Sequence, residues 1–79
     1  MSWTEINNAL EKEWLFGSFS EAFAFISQVA LLAEKHNHHP EIQNTYNRVK
    51  LRLYTHEAGN TITERDTKLA KAIDDLKLA

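Results

Sequence analysis

An alternation of apolar and polar side chains over residues 49–56 constrains the fold of this chain more than any other feature. The alternating residues are Val49, Leu51, Leu53 and Thr55 on one side and Lys50, Arg52, Tyr54 and His56 on the other. A period of two residues is that of a β-strand with one buried face, and Val, Thr and Tyr favour strands. Residues 41–46 alternate in the same way. We therefore predict a β-hairpin over residues 41–56, with its turn at Asn47-Arg48.

A second hairpin is predicted at the start of the chain. Residues 3–6 and 10–16 have strand-like composition and flank Asn7-Asn8. Asparagine tolerates the left-handed backbone of tight turns, so these two residues are the predicted turn.

The segment between the two hairpins predicts a helix. Ser18 and Glu21 have the spacing of a capping box, so the helix should begin near Phe19. It cannot extend far beyond Asn37, because the residue before Pro40 is pushed out of helical backbone.

The apolar residues of this helix cover about half of its circumference when successive residues are placed about 100° apart. They are Phe19, Ala22, Phe23, Phe25, Ile26, Val29, Ala30, Leu32 and Ala33. Ala24 and Leu31 interrupt the polar half. Two interpretations remain open: a helix packed broadly on its own sheet, or a helix that also contacts a partner subunit.

A final helix is predicted from about Glu64. Thr63 can cap it, and Asp66 has the position of the carboxylate partner of that cap. Asp66 shares the face of the apolar residues Leu69, Ala72, Ile73 and Leu76. The predicted order is ββαββα, which is an α+β fold: a four-stranded antiparallel sheet with helices packed on one face.

Composition bounds the class of protein. The 79 residues predict one domain, residues 1–79, and the absence of cysteine excludes disulfides and thiolate metal sites. A net charge of −2 with mixed signs argues against a nucleic-acid surface. No apolar run approaches a membrane span and no leader-like segment opens the chain, so no membrane contact and a cytoplasmic location are expected. Self-association is a plausible source of stability in so short a chain.

The histidines are the candidate chemical groups. Three of the four, His36, His38 and His39, lie within four positions directly before Pro40, and the fourth is His56. Imidazole exchanges a proton near neutral pH, so two or three in one pocket can divide the roles of acid and base. The candidate carboxylate partners are Glu34, Glu57 and Asp66.

The sequence favours some interpretations of the histidines over others. His36 is best explained as a helix-end residue that interacts with the helix dipole. Zinc binding is disfavoured, because adjacent His38 and His39 would diverge and His36 does not share a helix face with His38. Strict alternation places His56 on the face of Arg52 and Tyr54. It reaches a pocket with His38 or His39 only if the strand twists, bulges, or has the site at its end.

Four stretches of the chain form one joint pattern: Glu34-Lys35-x-Asn37-His38-His39-Pro40-Glu41, Asn44-x-Tyr46-Asn47-Arg48-Val49, Thr55-His56-Glu57 and Thr63-Glu64-Arg65-Asp66-x-x-Leu69-Ala70. Together they resemble one family, the pterin-4a-carbinolamine dehydratases. The resemblance extends from Trp3 to Ile73, and its implied fold agrees with the ββαββα order derived above.

The resemblance implies dehydration of 4a-hydroxytetrahydrobiopterin to quinonoid dihydrobiopterin and water, in tetrahydrobiopterin recycling, with a pterin substrate and no cofactor or metal. It implies that His38, His39 and His56 are catalytic. His39 and His56 would transfer protons, and His38 would hold or polarise the leaving hydroxyl.

The resemblance also implies that four residues line or serve the pterin pocket: Asn37, Thr55, Glu57 and Asp66. Family members form homodimers or homotetramers, and a member from animals is a dimerisation cofactor of a transcription factor. A non-catalytic module on the same fold is therefore the alternative.

Two positions depart from the family pattern. Ile42-Gln43 stands where an aromatic pair is frequent, and Tyr54 stands where a small residue is common. Both departures bear on the shape of the pocket.

Overall fold

The computed structural model describes residues 3–77 and has the predicted order ββαββα. The elements are β1 (Thr4–Ile6), β2 (Ala9–Leu15), α1 (Phe19–His36), β3 (Glu41–Thr45), β4 (Arg48–Leu53) and α2 (Glu64–Asp74), with a 3₁₀ turn at His56–Ala58. The α+β class is therefore confirmed. The predicted domain limits, residues 1 and 79, lie outside the described residues. Within residues 3–77, no helix has the length and apolar character that a membrane crossing requires.

The four strands form one antiparallel sheet in the order β1-β2-β4-β3. β2 and β4 pair at its centre, from Leu10 opposite Leu53 to Leu15 opposite Arg48. At the first turn, Asn7 and Asn8 have φ angles of 50° and 64°. Positive φ at both central residues suits the twist of a tight hairpin, which is why this turn was predictable.

The core lies on one face of the sheet. The alternating residues Val49, Leu51 and Leu53 of β4 are all completely buried. They share one cluster with α1 and α2, which contribute Phe25, Val29, Leu69 and Ile73. Because both helices pack on the same side of β4, the opposite face of the sheet carries no helix formed by residues 3–77.

The predicted turn of the second hairpin was wrong by one residue. The structure places it at Tyr46-Asn47, and Arg48 already belongs to β4. Tyr46 adopts φ 51°. The amide of Asn44 donates hydrogen bonds to the carbonyls of Tyr46 and Arg48, at 3.2 and 2.9 Å. Side-chain bonds of this kind stabilise a turn that local propensity does not reveal.

β4 is also shorter than predicted, since it ends at Leu53 and not at His56. Thr55 leaves the ladder and pairs with Thr61 in an isolated bridge. The chain then turns at His56–Ala58, and Gly59 closes that turn with φ 84°.

α1 buries a narrower stripe than predicted. Its buried residues are Ala22, Phe25, Val29 and Ala33. Phe19 and Phe23, expected on the packed side, remain 48% and 54% exposed, and Leu31 is 73% exposed. The helix therefore has a second, outward apolar surface, formed by Phe19, Phe23 and Leu31.

Candidate active site

The end of α1 positions two histidines. Asn37 caps the helix in the left-handed conformation, with φ 50° and ψ 45°. The backbone N–H of His38 still donates to the carbonyl of Ala33 at 3.0 Å, which is a helix-ending bond. Beyond the cap the two side chains diverge: His38 is 6% exposed, whereas His39 is exposed.

The buried carboxylate of Asp66 organises the base of the site. One oxygen accepts hydrogen bonds from the Thr63 backbone N–H at 2.9 Å and from the Thr55 hydroxyl at 2.8 Å. The other oxygen lies 2.5 Å from Nε2 of His38. Asp66 is completely buried, and the predicted capping box with Thr63 is confirmed. A fully buried carboxylate needs such partners, because an unpaired buried charge is costly.

The hydrogen-bond partners around Asp66 determine which atom donates in each bond. Thr55 has a single hydroxyl proton, which it donates to Asp66, so the hydroxyl of Thr63 must donate to that of Thr55 across 2.6 Å. An ionised carboxylate only accepts, so Nε2 of His38 donates to Asp66. In neutral His38 the other ring nitrogen, Nδ1, is then the proton acceptor.

His39 pairs with Glu34 at the surface. Nε2 of His39 lies 2.6 Å from a carboxylate oxygen of Glu34, and the two side chains are 59% and 77% exposed. Glu34 was one of the candidate carboxylates, and in a continuous helix it would lie one turn before His38. The left-handed cap at Asn37 redirects the chain so that Glu34 instead meets His39. An exposed ion pair of this kind contributes little to stability.

His56 begins the 3₁₀ turn beyond the end of β4. Its Nδ1 lies 2.9 Å from the side-chain oxygen of Asn60. An amide oxygen only accepts, so Nδ1 carries the proton and neutral His56 presents Nε2 as a proton acceptor. Of the three possibilities for His56, the structure shows the third, since the cleft lies at the end of the sheet.

These residues surround an open cleft of about 410 Å³. It is lined by Asn37, His38, His39, Pro40, Glu41, Tyr54, His56, Glu57 and Arg65. Such a volume is within the range of small-molecule sites. Five of the seven residues inferred from the sequence line it. The other two, Thr55 and Asp66, are 3% and 0% exposed and lie beneath His38.

Arg65 is a residue of the cleft that sequence reasoning missed. Its guanidinium donates to the backbone carbonyl of Asn37 at 2.8 Å and to the Glu57 carboxylate at 3.3 Å. It therefore connects the end of α1 with the 3₁₀ turn, and all three residues line the cleft. Arg65 directly precedes the buried Asp66, and adjacent residues of a helix point to different faces. This position next to a site residue was the sequence signal that could have identified Arg65.

The pKa of Glu57 lies below its ordinary value. Its backbone hydrogen bond is the main cause, and the nearby Arg65 and His56 lower the pKa further. A lowered pKa means that the Glu57 charge stabilises the folded state above the unfolded pKa, and that this contribution is lost as pH falls through the folded pKa.

We predict that an NMR titration will show Glu57 protonating at lower pH than in the unfolded chain. In Arg65→Met the pKa of Glu57 should rise only in part, because the backbone bond remains. A return to the unfolded value in this variant would contradict the assigned cause. Glu13, which is exposed on β2, provides a reference carboxyl in the same spectra.

Asn37 allows its backbone role to be separated from its side chain. Glycine tolerates the left-handed cap, so Asn37→Gly should change the free energy of unfolding by only a few tenths of a kcal/mol. Asn37→Ala should destabilise by roughly 1 kcal/mol, because alanine is strained at positive φ. Denaturant unfolding measures both. Equal stability of the two variants would contradict the strain argument, and any loss of ligand binding in Asn37→Gly belongs to the amide.

No group of three or more His, Asp or Glu side chains within residues 3–77 is arranged to hold a metal ion. His38, His39 and His56 instead each contact a separate partner, which is Asp66, Glu34 or Asn60 respectively.

Comparison with known proteins identifies relatives over most of the chain. A protein of Prochlorococcus marinus (strain NATL2A), provisionally named pterin-4-alpha-carbinolamine dehydratase, is 55% identical over 95% of this chain and 78% of its own length. A protein of Opitutus terrae with the same provisional name is 46% identical over 94% of this chain and 76% of its own length.

Two solved structures share the fold. One, from Brucella melitensis, is described as a transcriptional coactivator/pterin dehydratase; its TM-score is 0.85 at 43% identity, over 92% of this chain and 79% of that one. The other is a pterin dehydratase-like protein identified as a RuBisCO assembly factor of the alpha-carboxysome; its TM-score is 0.79 at 27% identity, over 94% of this chain and 87% of that one. The family model described as pterin 4 alpha carbinolamine dehydratase matches residues 1–76, and this chain belongs to that family.

Proposed function

We propose that this protein is a 4a-hydroxytetrahydrobiopterin dehydratase that acts in tetrahydrobiopterin recycling. The single observation that carries the proposal is the cleft at the end of the sheet, where His38, His39 and His56 all line one space of about 410 Å³. Membership of the dehydratase family supports the same reaction. We also expect a cytoplasmic protein that forms a homodimer or homotetramer.

The chemistry requires an acid and a base. The bond between C4a and the hydroxyl oxygen breaks, and a proton delivered to that oxygen lets it leave as water. N5 loses its proton, and the electron pair of the N5–H bond forms the C4a–N5 double bond. No electrons pass to or from an external acceptor, so the catalytic groups need only transfer protons.

Among the three histidines, we assign proton transfer to His39 and His56. His56 is held through Nδ1 by Asn60, which leaves Nε2 for the substrate. The side chain of His39 is 59% exposed, so its ring can exchange protons with solvent.

His38 is assigned to the leaving hydroxyl, because it is the imidazole whose orientation is fixed by a buried carboxylate. Asn37 and Glu57, on the cleft wall, would contact the pterin ring. Thr55 and Asp66 would act through His38 as positioning residues, since both are buried beneath it.

The direct test is decay of the carbinolamine produced by an aromatic amino-acid hydroxylase, followed by absorbance with and without this protein. We expect faster decay in proportion to protein concentration, and no change in rate with a metal chelator. Decay at the uncatalysed rate over the whole concentration range would contradict the proposal.

A second candidate is a non-catalytic dimerisation or assembly module on the same fold. The outward apolar surface of α1, with Leu31 73% exposed, favours it, as does the likeness to a RuBisCO assembly factor. Sedimentation of the wild type and Leu31→Asp tests whether this surface joins subunits. If this candidate is correct, self-association depends on Leu31. Substitution of the histidines then changes neither sedimentation nor the rate of carbinolamine decay.

A further inference from the structure

A side hollow of about 320 Å³ adjoins the cleft. It is lined by Asn7, Arg52, Tyr54, His56 and Asn60. Tyr54 and His56 also line the main cleft, so one phenol and one imidazole form a wall common to both spaces. The hollow opens on the face of the sheet opposite α1 and α2, because Arg52 and Tyr54 alternate with the buried residues of β4.

The charges around the side hollow balance. Nε of Arg52 donates to Glu11 at 2.9 Å, and its Nη1 lies 3.8 Å from Glu41. Lys50 lies 3.6 Å from the same Glu11. Two cations therefore face two carboxylates, and Arg52 has no excess positive charge with which to hold a phosphate or carboxylate group.

The remaining surface of the hollow is polar. Asn7 and Asn60 contribute amides, and Tyr54 contributes a phenol. The third guanidinium nitrogen of Arg52, Nη2, donates to the backbone carbonyl of Asn7 at 3.2 Å. Groups of this kind bind uncharged hydroxyls, which both donate and accept hydrogen bonds.

We propose that the side hollow binds the substituent on the pyrazine ring of the pterin and selects short, hydroxylated, uncharged substituents over phosphorylated or acidic ones. The inference rests on the proposed function, since the ring itself must occupy the main cleft. A ring beside His56 has its substituent next to the wall shared by the two spaces.

Tyr54 is the specificity-determining residue of this arrangement. Its ring lies 5.2 Å from the guanidinium carbon of Arg52, a cation–π contact that holds the phenol against the network of Arg52. A small side chain here would remove the wall between the spaces. The phenol instead forms part of this wall and supplies a hydroxyl.

The test is the dissociation constant of three oxidised pterins, measured by fluorescence titration. Biopterin carries a dihydroxypropyl group, 6-methylpterin lacks the hydroxyls, and neopterin monophosphate adds a charge. We expect biopterin to bind roughly fivefold to tenfold more tightly than 6-methylpterin, which corresponds to one or two net hydrogen bonds. The monophosphate should bind more weakly than biopterin.

Two variants at the first turn provide a matched comparison. Asn7→Gly removes an amide of the hollow, whereas Asn8→Gly removes one outside it; both have positive φ, which glycine accepts. Asn7→Gly and Tyr54→Phe should each reduce the preference for biopterin by about half or more, and Asn8→Gly should preserve it.

The outcomes separate this inference from the proposed function. Equal binding of biopterin and 6-methylpterin by the wild type, or tighter binding of the monophosphate, overturns the side hollow as a substituent site even if the carbinolamine is dehydrated. Selective binding of biopterin without any acceleration of dehydration overturns the proposed activity and supports the hollow. Failure of all three pterins to bind overturns the side hollow as a substituent site, and the carbinolamine assay then decides the proposed activity by itself.

Discussion

Asparagine in place of Asp66 is expected to lower kcat for the carbinolamine by roughly 10²- to 10⁴-fold while the fold is retained. The amide has the shape of the carboxylate, so its oxygen can still accept from Thr63 and Thr55. Its NH₂ group then faces Nε2 of His38, where two donors would meet. His38 must therefore move its proton from Nε2 to Nδ1, and Nδ1, the nitrogen that we propose meets the leaving hydroxyl, loses its acceptor lone pair.

This result has a readout that a purely structural role would not produce. Nitrogen NMR of the histidines should show the Nε2–H tautomer of His38 in the wild type and the Nδ1–H tautomer in Asp66→Asn. Retention of the Nε2–H tautomer together with a large loss of kcat would contradict the mechanism.

Asp66→Ala is the destabilising counterpart. It leaves His38 and the Thr55 hydroxyl without their buried partner, so the free energy of unfolding should fall by about 3–5 kcal/mol. Chemical denaturation of the two variants side by side separates loss of the fold from loss of the tautomer.

Alanine in place of His39 or His56 is expected to lower kcat by roughly 10²- to 10⁴-fold each, which is the usual contribution of a positioned acid or base. Both side chains are exposed, so the free energy of unfolding should change by no more than about 0.5 kcal/mol. The measurement is initial rate of carbinolamine decay against substrate concentration, which separates kcat from KM. A residue that only binds substrate would raise KM and leave kcat unchanged.

His36→Ala is the matched control for these variants. His36 ends α1 and does not line the cleft, so kcat should be unaffected. Wild-type kcat in either His39→Ala or His56→Ala would remove that histidine from proton transfer. An equal loss of kcat in all three variants would indicate that the histidines act through a general electrostatic effect and do not have the roles assigned to them.

Local signals predicted most of the fold. The double asparagine turn, the Ser18 cap and the Thr63–Asp66 capping box each act within a few residues, so they can be recognised without knowing the rest of the molecule. Asp66 was also correctly placed on the buried face of α2 by helical periodicity. The Tyr46 turn escaped because it depends on side-chain bonds from Asn44 and on an uncommon left-handed tyrosine.

The sequence predicted which residues line the candidate site better than it predicted their hydrogen-bond partners. The motifs named five residues that line the cleft, but not the partner of each histidine. One left-handed residue, Asn37, decides that Glu34 meets His39, and one strand end decides that His56 turns toward the cleft. A single backbone angle redirects everything that follows it, so spacing along the chain cannot predict these contacts.

The sequence by itself therefore determined the order ββαββα, the apolar face of β4, the helix caps and the residues capable of proton transfer. Only the tertiary structure decided that Asp66 meets His38, 28 positions earlier, that Arg65 connects the end of α1 with the 3₁₀ turn, and that Asn7 and Tyr54 line the same hollow. The physical reason is the distance in sequence between interacting residues. Helix capping and strand alternation depend on residues that are close in the chain. A buried carboxylate and a polar hollow take their partners from whichever elements the packing of α1, α2 and β4 brings together.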